Sequence, residues 1–464
     1  MKLAYGLGAM AFGIKDQGFN ALLMLYYNQV IGLPAGWVGL AIGIATLVDA
    51  FSDPVIGHFS DHLHSRWGRR HPFMYGSALP ITLGYLLLWG PPSASHEVLF
   101  AWLLVTSIVV RVGISAYEIP SNALIAEFSN DYDERTNLST WRALFIAVGN
   151  VGMTIVVFKL FLRPTAEQPV GQLNAAGYLT YSYVAAALML TAVLTSALGT
   201  HRRIAFLQKP LASDHVGFAG LLSGLKTLFT DRAYASVIAC MFFFSIATGL
   251  AITLNVYVAT YFWRINADQL AALGGGAALG VLLALAVAPP LAKRFGKKSM
   301  CIGLYSLALA GCCVPVALGL LGIMPREISR LLPWLILGNA IVIGSIIGGV
   351  IMGTSMIADT ADHIALKTGR RMEGLMASAL VMINKGVSGM GVFLSGIVLT
   401  AIGFPEKAAP DAVPPEVVTH LATIYLIGMA SLVGLAIVSI FFYPITRAMH
   451  EQTLQQLGKA AVAT

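Results

Sequence analysis

Long apolar runs recur about every 35–40 residues along this chain, most of them long enough to cross a bilayer as a helix of about 20 residues. Twelve can be drawn, near residues 3–32, 37–60, 72–91, 97–124, 139–162, 176–199, 233–262, 268–292, 299–322, 330–358, 374–403 and 418–446. A membrane β-barrel would instead alternate polar and apolar positions in ~10-residue segments. Of the 464 residues 57% are hydrophobic and 11% charged, where a soluble chain carries roughly 25% charge. So much apolar surface cannot be hidden from water by one soluble domain. Intrinsic disorder needs the opposite composition, and four cysteines make no disulfide framework. All four cysteines lie in apolar runs and read as packing thiols. The expectation is an all-α membrane protein with twelve transmembrane helices.

Lys15-Asp16 interrupts the first run and no small-residue cleavage site follows, so it is expected to stay as a helix. The longest polar link divides the chain into an N-terminal bundle of six helices (1–199), a central loop (200–232) and a C-terminal bundle of six (233–464). Within the loop, residues 216–229 have an amphipathic pattern that suits the membrane surface. A basic, glycine-containing turn follows segment 2 (Arg66 to Arg70) and again segment 8 (Lys293 to Lys298), an internal repeat in register with the two halves. With both termini on one side, 19 of the 29 lysines and arginines fall on that side and six on the other. The termini and central loop are therefore expected in the cytoplasm of a cell with this protein in its inner membrane. The net charge of +7 is then a topology signal, and nucleic acid has no place as a partner.

Eight ionisable residues lie within or at the edges of the spans: Lys15, Asp16, Asp49, Asp53, Arg111, Glu118, Arg142 and Lys385. Exposing all of them to lipid would cost on the order of 20 kcal/mol, more than a typical folding stability. They must pair with one another or line a polar route. Asp49 and Asp53 stand at i and i+4, on one helix face about 6 Å apart. Two carboxylates so placed repel unless a cation sits between them. Ser52 can add an oxygen, and hard oxygen ligands suit Na⁺ or Li⁺, while a carboxylate can equally carry H⁺. Pro54 follows directly and bends a helix or frees a carbonyl.

The stretch Asp49-Ala-Phe-Ser-Asp53-Pro54-x-x-Gly57-x-x-x-Asp61, with Arg66-Trp-Gly68-Arg69-Arg70, resembles the glycoside–pentoside–hexuronide:cation symporters. These form a branch of the major facilitator superfamily that includes the melibiose permease. Four further motifs resemble it in order along the chain: Gly13-Ile-Lys15-Asp16; Glu118-Ile-Pro120; Asp131-x-x-Glu134-Arg135-Thr136 with Trp141-Arg142; and Asp359-x-x-Asp362 with Thr368-Gly-Arg370-Arg371-x-Glu373-Gly374 and Lys385. The resemblance implies two six-helix bundles around a central cavity and secondary active transport of a sugar or glycoside by alternating access. It implies a coupling-cation site at Asp49, Ser52, Asp53 and Ser115, with Asp49 and Asp53 as the metal ligands if the ion is Na⁺. It implies substrate contacts at Lys15, Asp16, Glu118, Asn122 and Arg142, with Lys385 near both sites.

Two features depart from the pattern. Asn122 stands where the melibiose permease has an aromatic, so a sugar ring cannot stack there. Arg111 lies two turns before Glu118 on the same face. It is either a partner for Asp16, Glu118 or the Asp49–Asp53 pair, or a binder of an anionic substrate group. The loop residues Arg66, Gly68, Arg69, Arg70, Arg370 and Arg371 read as cytoplasmic anchors. With Gly57, Asp61, Glu127, Asp131, Glu134, Arg135, Asp359, Asp362 and Glu373 they are also candidates for a gating network. Gly274-Gly275-Gly276 lacks the following Gly-Lys-Ser/Thr of a nucleotide loop, and no zinc or Ser–His–Asp pattern occurs, so no enzyme and no cofactor is expected. Two other readings compete: a transporter of an amphiphile such as a lysophospholipid, and a transport-inactive sensor.

Overall fold

The computed structural model describes every residue except 64, 129–130, 205–227, 326, 369–372 and 464. The amphipathic stretch of the central loop falls almost wholly outside the described residues, as do Arg370 and Arg371. Among the described residues the chain is helical, and nine helices are long and apolar enough to cross a membrane. The surface carries large apolar side chains, such as Phe51 at 77% and Leu321 at 72% exposure. The interior holds Lys15, Asp49, Arg111 and Arg142, all buried. Apolar outside and charged inside is the arrangement a lipid solvent selects.

The N-terminal run comprises α1 (Lys2–Leu7) and α2 (Met10–Gln17), then π-turns at Gly18–Leu22 and Tyr26–Ile31. Gly32 ends it with φ +90°, a conformation glycine adopts without cost. Pro34 then caps α3 (Ala35–His62), which continues through Pro54. Proline has no N–H, so the Ala50 carbonyl loses its helical donor beside Asp49. There follow α4 (His71–Trp89), α5 (His96–Phe128), α6 (Tyr132–Ala147) with π-turns to Phe161, and α7 (Ala175–His201). The second part holds α8 (Arg232–Tyr257) with a π-turn Val258–Phe262, α9 (Ala267–Phe295), α10 (Lys297–Leu320), α11 (Ile328–Thr368), α12 (Glu373–Ala401), α13 (Pro415–Phe441) and α14 (Arg447–Ala463).

The chain forms two compact units. One comprises Met1–Ala212, Ile252–Gly274 and Val392–Leu421; the other comprises Ser213–Ala251, Gly275–Gly391 and Ala422–Thr464. The first unit thus gathers the end of α8, the start of α9 and the end of α12 onto the N-terminal helices. A buried network without ionic groups ties them together at the end of the first run. Gln29 donates to the Pro405 carbonyl (2.9 Å) and accepts from the Tyr261 hydroxyl (2.9 Å) and the Ala408 N–H (3.1 Å). The Tyr257 hydroxyl donates to Asn28 (3.0 Å), and Gln172 donates to the Ile265 carbonyl (2.9 Å). Beside it α3 and α12 touch backbone to backbone: a Cβ on Gly396 would lie 3.0 Å from the Gly39 Cα. Gly396→Val should therefore destabilise the protein by about 1–3 kcal/mol through overpacking, seen as a lower thermal-unfolding midpoint in detergent.

In the second unit α10 packs along α11, and Tyr305 stacks on Phe244 at 4.0 Å. Lys298 donates to the Phe441 and Tyr443 carbonyls, both at 2.8 Å, a cation at the negative end of α13.

Candidate functional site

The in-membrane charges of the first unit collect on the faces that α2, α3, α5 and α6 turn toward one another. Close approach makes this possible. Gly13 of α2 packs on the backbone of the α6 run, where a Cβ would come within 2.9 Å of the Asn150 nitrogen. A larger residue would push Lys15 and Asp16 away from that helix.

Asp49 is 5% exposed. One carboxylate oxygen accepts from the Ser115 hydroxyl at 2.7 Å, and the other faces Arg111 Nη1 at 3.5 Å. The Ser52 hydroxyl donates to the Asp49 backbone carbonyl at 2.9 Å, which leaves its oxygen lone pairs as acceptors. Asp53 lies one turn further along α3, half-buried. α3 and α5 therefore bring together Asp49 and Ser115. Of the partners considered for Arg111, the structure selects Asp49, with the guanidinium also 4.9 Å from the Phe19 ring centroid.

A second cluster lies along α2, α5 and α6. Arg142 is 4% exposed. Its Nη2 donates to Glu118 Oε1 in a short ion pair, its Nη1 donates to Ser121 at 2.9 Å, and the guanidinium lies over the Tyr5 ring at 5.4 Å. The other Glu118 oxygen, Oε2, is buried with no hydrogen-bond partner. Asp16 accepts from Asn20 at 2.9 Å and from Asn150 at 3.4 Å, and sits 3.8 Å from Lys15 Nζ. Lys15 is 6% exposed and lies 4.4 Å from the Phe12 ring centroid. Asn122 is exposed, one residue beyond Ser121. The Lys385 side chain lies outside the described residues. Sequence reasoning missed Phe19, Asn20, Ser121 and Asn150. Amides inside apolar runs were the available signal for two of them.

The loop charges form separate clusters in each unit. Arg70 binds Asp61 (2.7 Å) and Glu127 (2.6 Å), and Arg69 adds a bond to Glu127 (2.9 Å). Lys297 binds both oxygens of Asp359 (2.6 and 2.7 Å), and His450 of α14 comes within 3.4 Å. In each unit a base at the start of one long helix thus holds an acid late in the next. Glu134 pairs with Lys2 at 3.5 Å, and the Arg135 N–H donates to the Asp131 carbonyl. Gly68 carries φ +73°, Gly57 faces Ile119, and Arg66 lies over the Trp67 ring. Asp362 is half-buried on α11, and the Glu373 side chain is outside the described residues.

Among the described residues no three of His, Cys, Asp or Glu come together as a metal site. The Asp49 cluster offers carboxylate and hydroxyl oxygens, donors that suit hard cations rather than soft ones.

The family model described as MFS/sugar transport protein matches residues 4–447. An uncharacterized symporter of Synechocystis sp. is 26% identical, covering 98% of this chain and 96% of its own. The isoprimeverose transporter of Lactiplantibacillus pentosus is also 26% identical, over 96% of this chain and 88% of its own. The xylose transporter XylE from E. coli, solved in an inward-open conformation, superposes with a TM-score of 0.65 at 13% identity and 98% coverage of both chains. This chain is an integral membrane protein of transporter type, not an enzyme, and it belongs to the glycoside–pentoside–hexuronide:cation symporter family of the major facilitator superfamily.

Proposed function

We propose that the protein carries a sugar or glycoside across the inner membrane together with H⁺ or Na⁺, by alternating access between two bundles of six helices, with both termini in the cytoplasm. The observation that carries this reading is the pair of neighbouring clusters in one unit. One, at Asp49, Ser52, Asp53 and Ser115, offers oxygen ligands to a cation. The other, at Lys15, Asp16, Glu118, Asn122 and Arg142, offers donors and acceptors to hydroxyl groups, with Glu118 Oε2 still unsatisfied.

Coupling is proposed to rest on the Asp49 and Asp53 carboxylates, whose mutual repulsion a cation bound there offsets. Cation binding then favours the substrate site, and substrate raises cation affinity by the same factor. The clusters around Asp61, Arg69, Arg70 and Glu127, and around Lys297 and Asp359, each hold together helix ends within one unit. Relatives include an isoprimeverose transporter, which supports a sugar or glycoside as the substrate class.

The test is uptake in membrane vesicles over a panel of labelled glycosides, under separately imposed H⁺ and Na⁺ gradients. Accumulation above equilibrium with either gradient supports symport. Equal uptake with and without every gradient overturns it.

A further inference from the structure

Arg111 and Arg142, the two arginines within the spans of the first unit, are paired with carboxylates in different ways. Arg142 is locked: it is charge-paired with Glu118, bonded to Ser121 and seated on Tyr5. Arg111 is held loosely. Its ionic contact is a single 3.5 Å approach of Nη1 to Asp49 Oδ2, whereas a strong guanidinium–carboxylate pair is bidentate at about 2.7–2.9 Å. Its Nε is buried with no hydrogen-bond partner. The rest of its support is the face of Phe19, 4.9 Å away, which attracts a cation without fixing its direction. The side chain is 7% exposed, so this incomplete bonding is not repaired by bulk water.

The surroundings give the guanidinium a second place to go. Asp16 is another carboxylate whose charge acts on Arg111, and it belongs to the neighbouring cluster. Asp49 meanwhile has one oxygen committed to Ser115 and the other covered only by the long Arg111 contact. A cation arriving at Asp49 with Arg111 in place would set two positive charges against one carboxylate in a poorly solvated site.

Resting on the reading of Asp49 as a cation ligand, we propose that Arg111 is a resident counter-cation: it covers the Asp49 oxygen that a mobile alkali ion takes, and competes with that ion for it. The competition weakens cation binding when Arg111 is seated. Binding of the ion releases the guanidinium toward Asp16 and the substrate cluster, so one side chain links the two sites.

The experiment uses the full-length protein in detergent. Thermal-unfolding midpoints are followed against NaCl and LiCl, with choline chloride holding ionic strength constant. Arg111→Gln should reach half-maximal stabilisation at a concentration at least about tenfold lower than the wild type, as expected when a buried carboxylate loses its internal partner. Arg111→Lys, which keeps the charge, should follow the wild-type curve. Asp49→Asn combined with Arg111→Gln should lose the Na⁺- and Li⁺-specific stabilisation. Identical salt curves for wild type and Arg111→Gln would overturn the proposal. If Arg111→Gln does not yield folded protein, Arg111→Met decides the matter by the same measurement. Failure of every gradient to drive uptake by the wild type is a separate result, and it counts against symport rather than against this competition.

Discussion

Asp49→Asn is expected to bring substrate accumulation in vesicles down to its equilibrium level, a loss of about tenfold or more, while the protein still reaches the membrane. Each tenfold of gradient represents about 1.4 kcal/mol of coupling, and a neutral amide can neither hold a proton nor bind an alkali ion well. The same substitution leaves Arg111 buried without its carboxylate partner, which costs about 3–5 kcal/mol. Asp53→Asn should lose accumulation to a similar extent but with a smaller drop in thermal stability, since its carboxylate is less buried. The two effects separate in the double variant Asp49→Asn with Arg111→Gln. That protein should recover much of the lost stability, because the pair is removed as a whole and no guanidinium is left without its carboxylate, and should still fail to accumulate substrate. Normal accumulation in Asp49→Asn would remove Asp49 from the cation site.

The second large effect is at Arg142. Arg142→Gln should destabilise the protein by about 3–5 kcal/mol, because Glu118 would keep a buried charge with no partner. Substrate binding should fall by about a hundredfold or more, in line with the loss of a charge-assisted hydrogen bond and its geometry. Glu118→Gln with Arg142→Gln makes the pair neutral. Its unfolding midpoint should return most of the way to the wild type, while equilibrium substrate binding stays lost. If binding returns together with stability, the pair is a structural brace between α5 and α6 and not part of the substrate site.

The helices and the charged residues among them were legible because membrane physics writes them into composition. A span must be apolar for about 20 residues, so an exception such as Asp49 or Arg142 is visible at once. The i, i+4 spacing placed Asp49 and Asp53 on one face without any tertiary knowledge. The family resemblance extended the same reading to Ser115 and Glu118, and these two do meet Asp49 and Arg142. The amides were less legible. Gln29, Asn28 and Gln172 are polar residues at run ends, and such residues are common there. That Asn28 and Gln29 interlock with Tyr257 and Tyr261, and Gln172 with Thr260, depends on segments more than 200 residues apart for the first two and about 90 apart for the last.

Taken alone, the sequence determined that the chain lives in a membrane as a set of long helices, and that a few costly charges inside them must be neutralised. Hydropathy and charge cost are properties of residues and short windows, so no fold is needed to read them. Only the tertiary structure decided which charge neutralises which. On a helix face Arg111 is equally placed for Asp16, Glu118 or Asp49. The packing of α3 against α5 puts it on Asp49, and the approach of α6 gives Glu118 to Arg142. Pairing falls off steeply with distance and with the water between charges, and both are set by helix packing rather than by spacing along the chain.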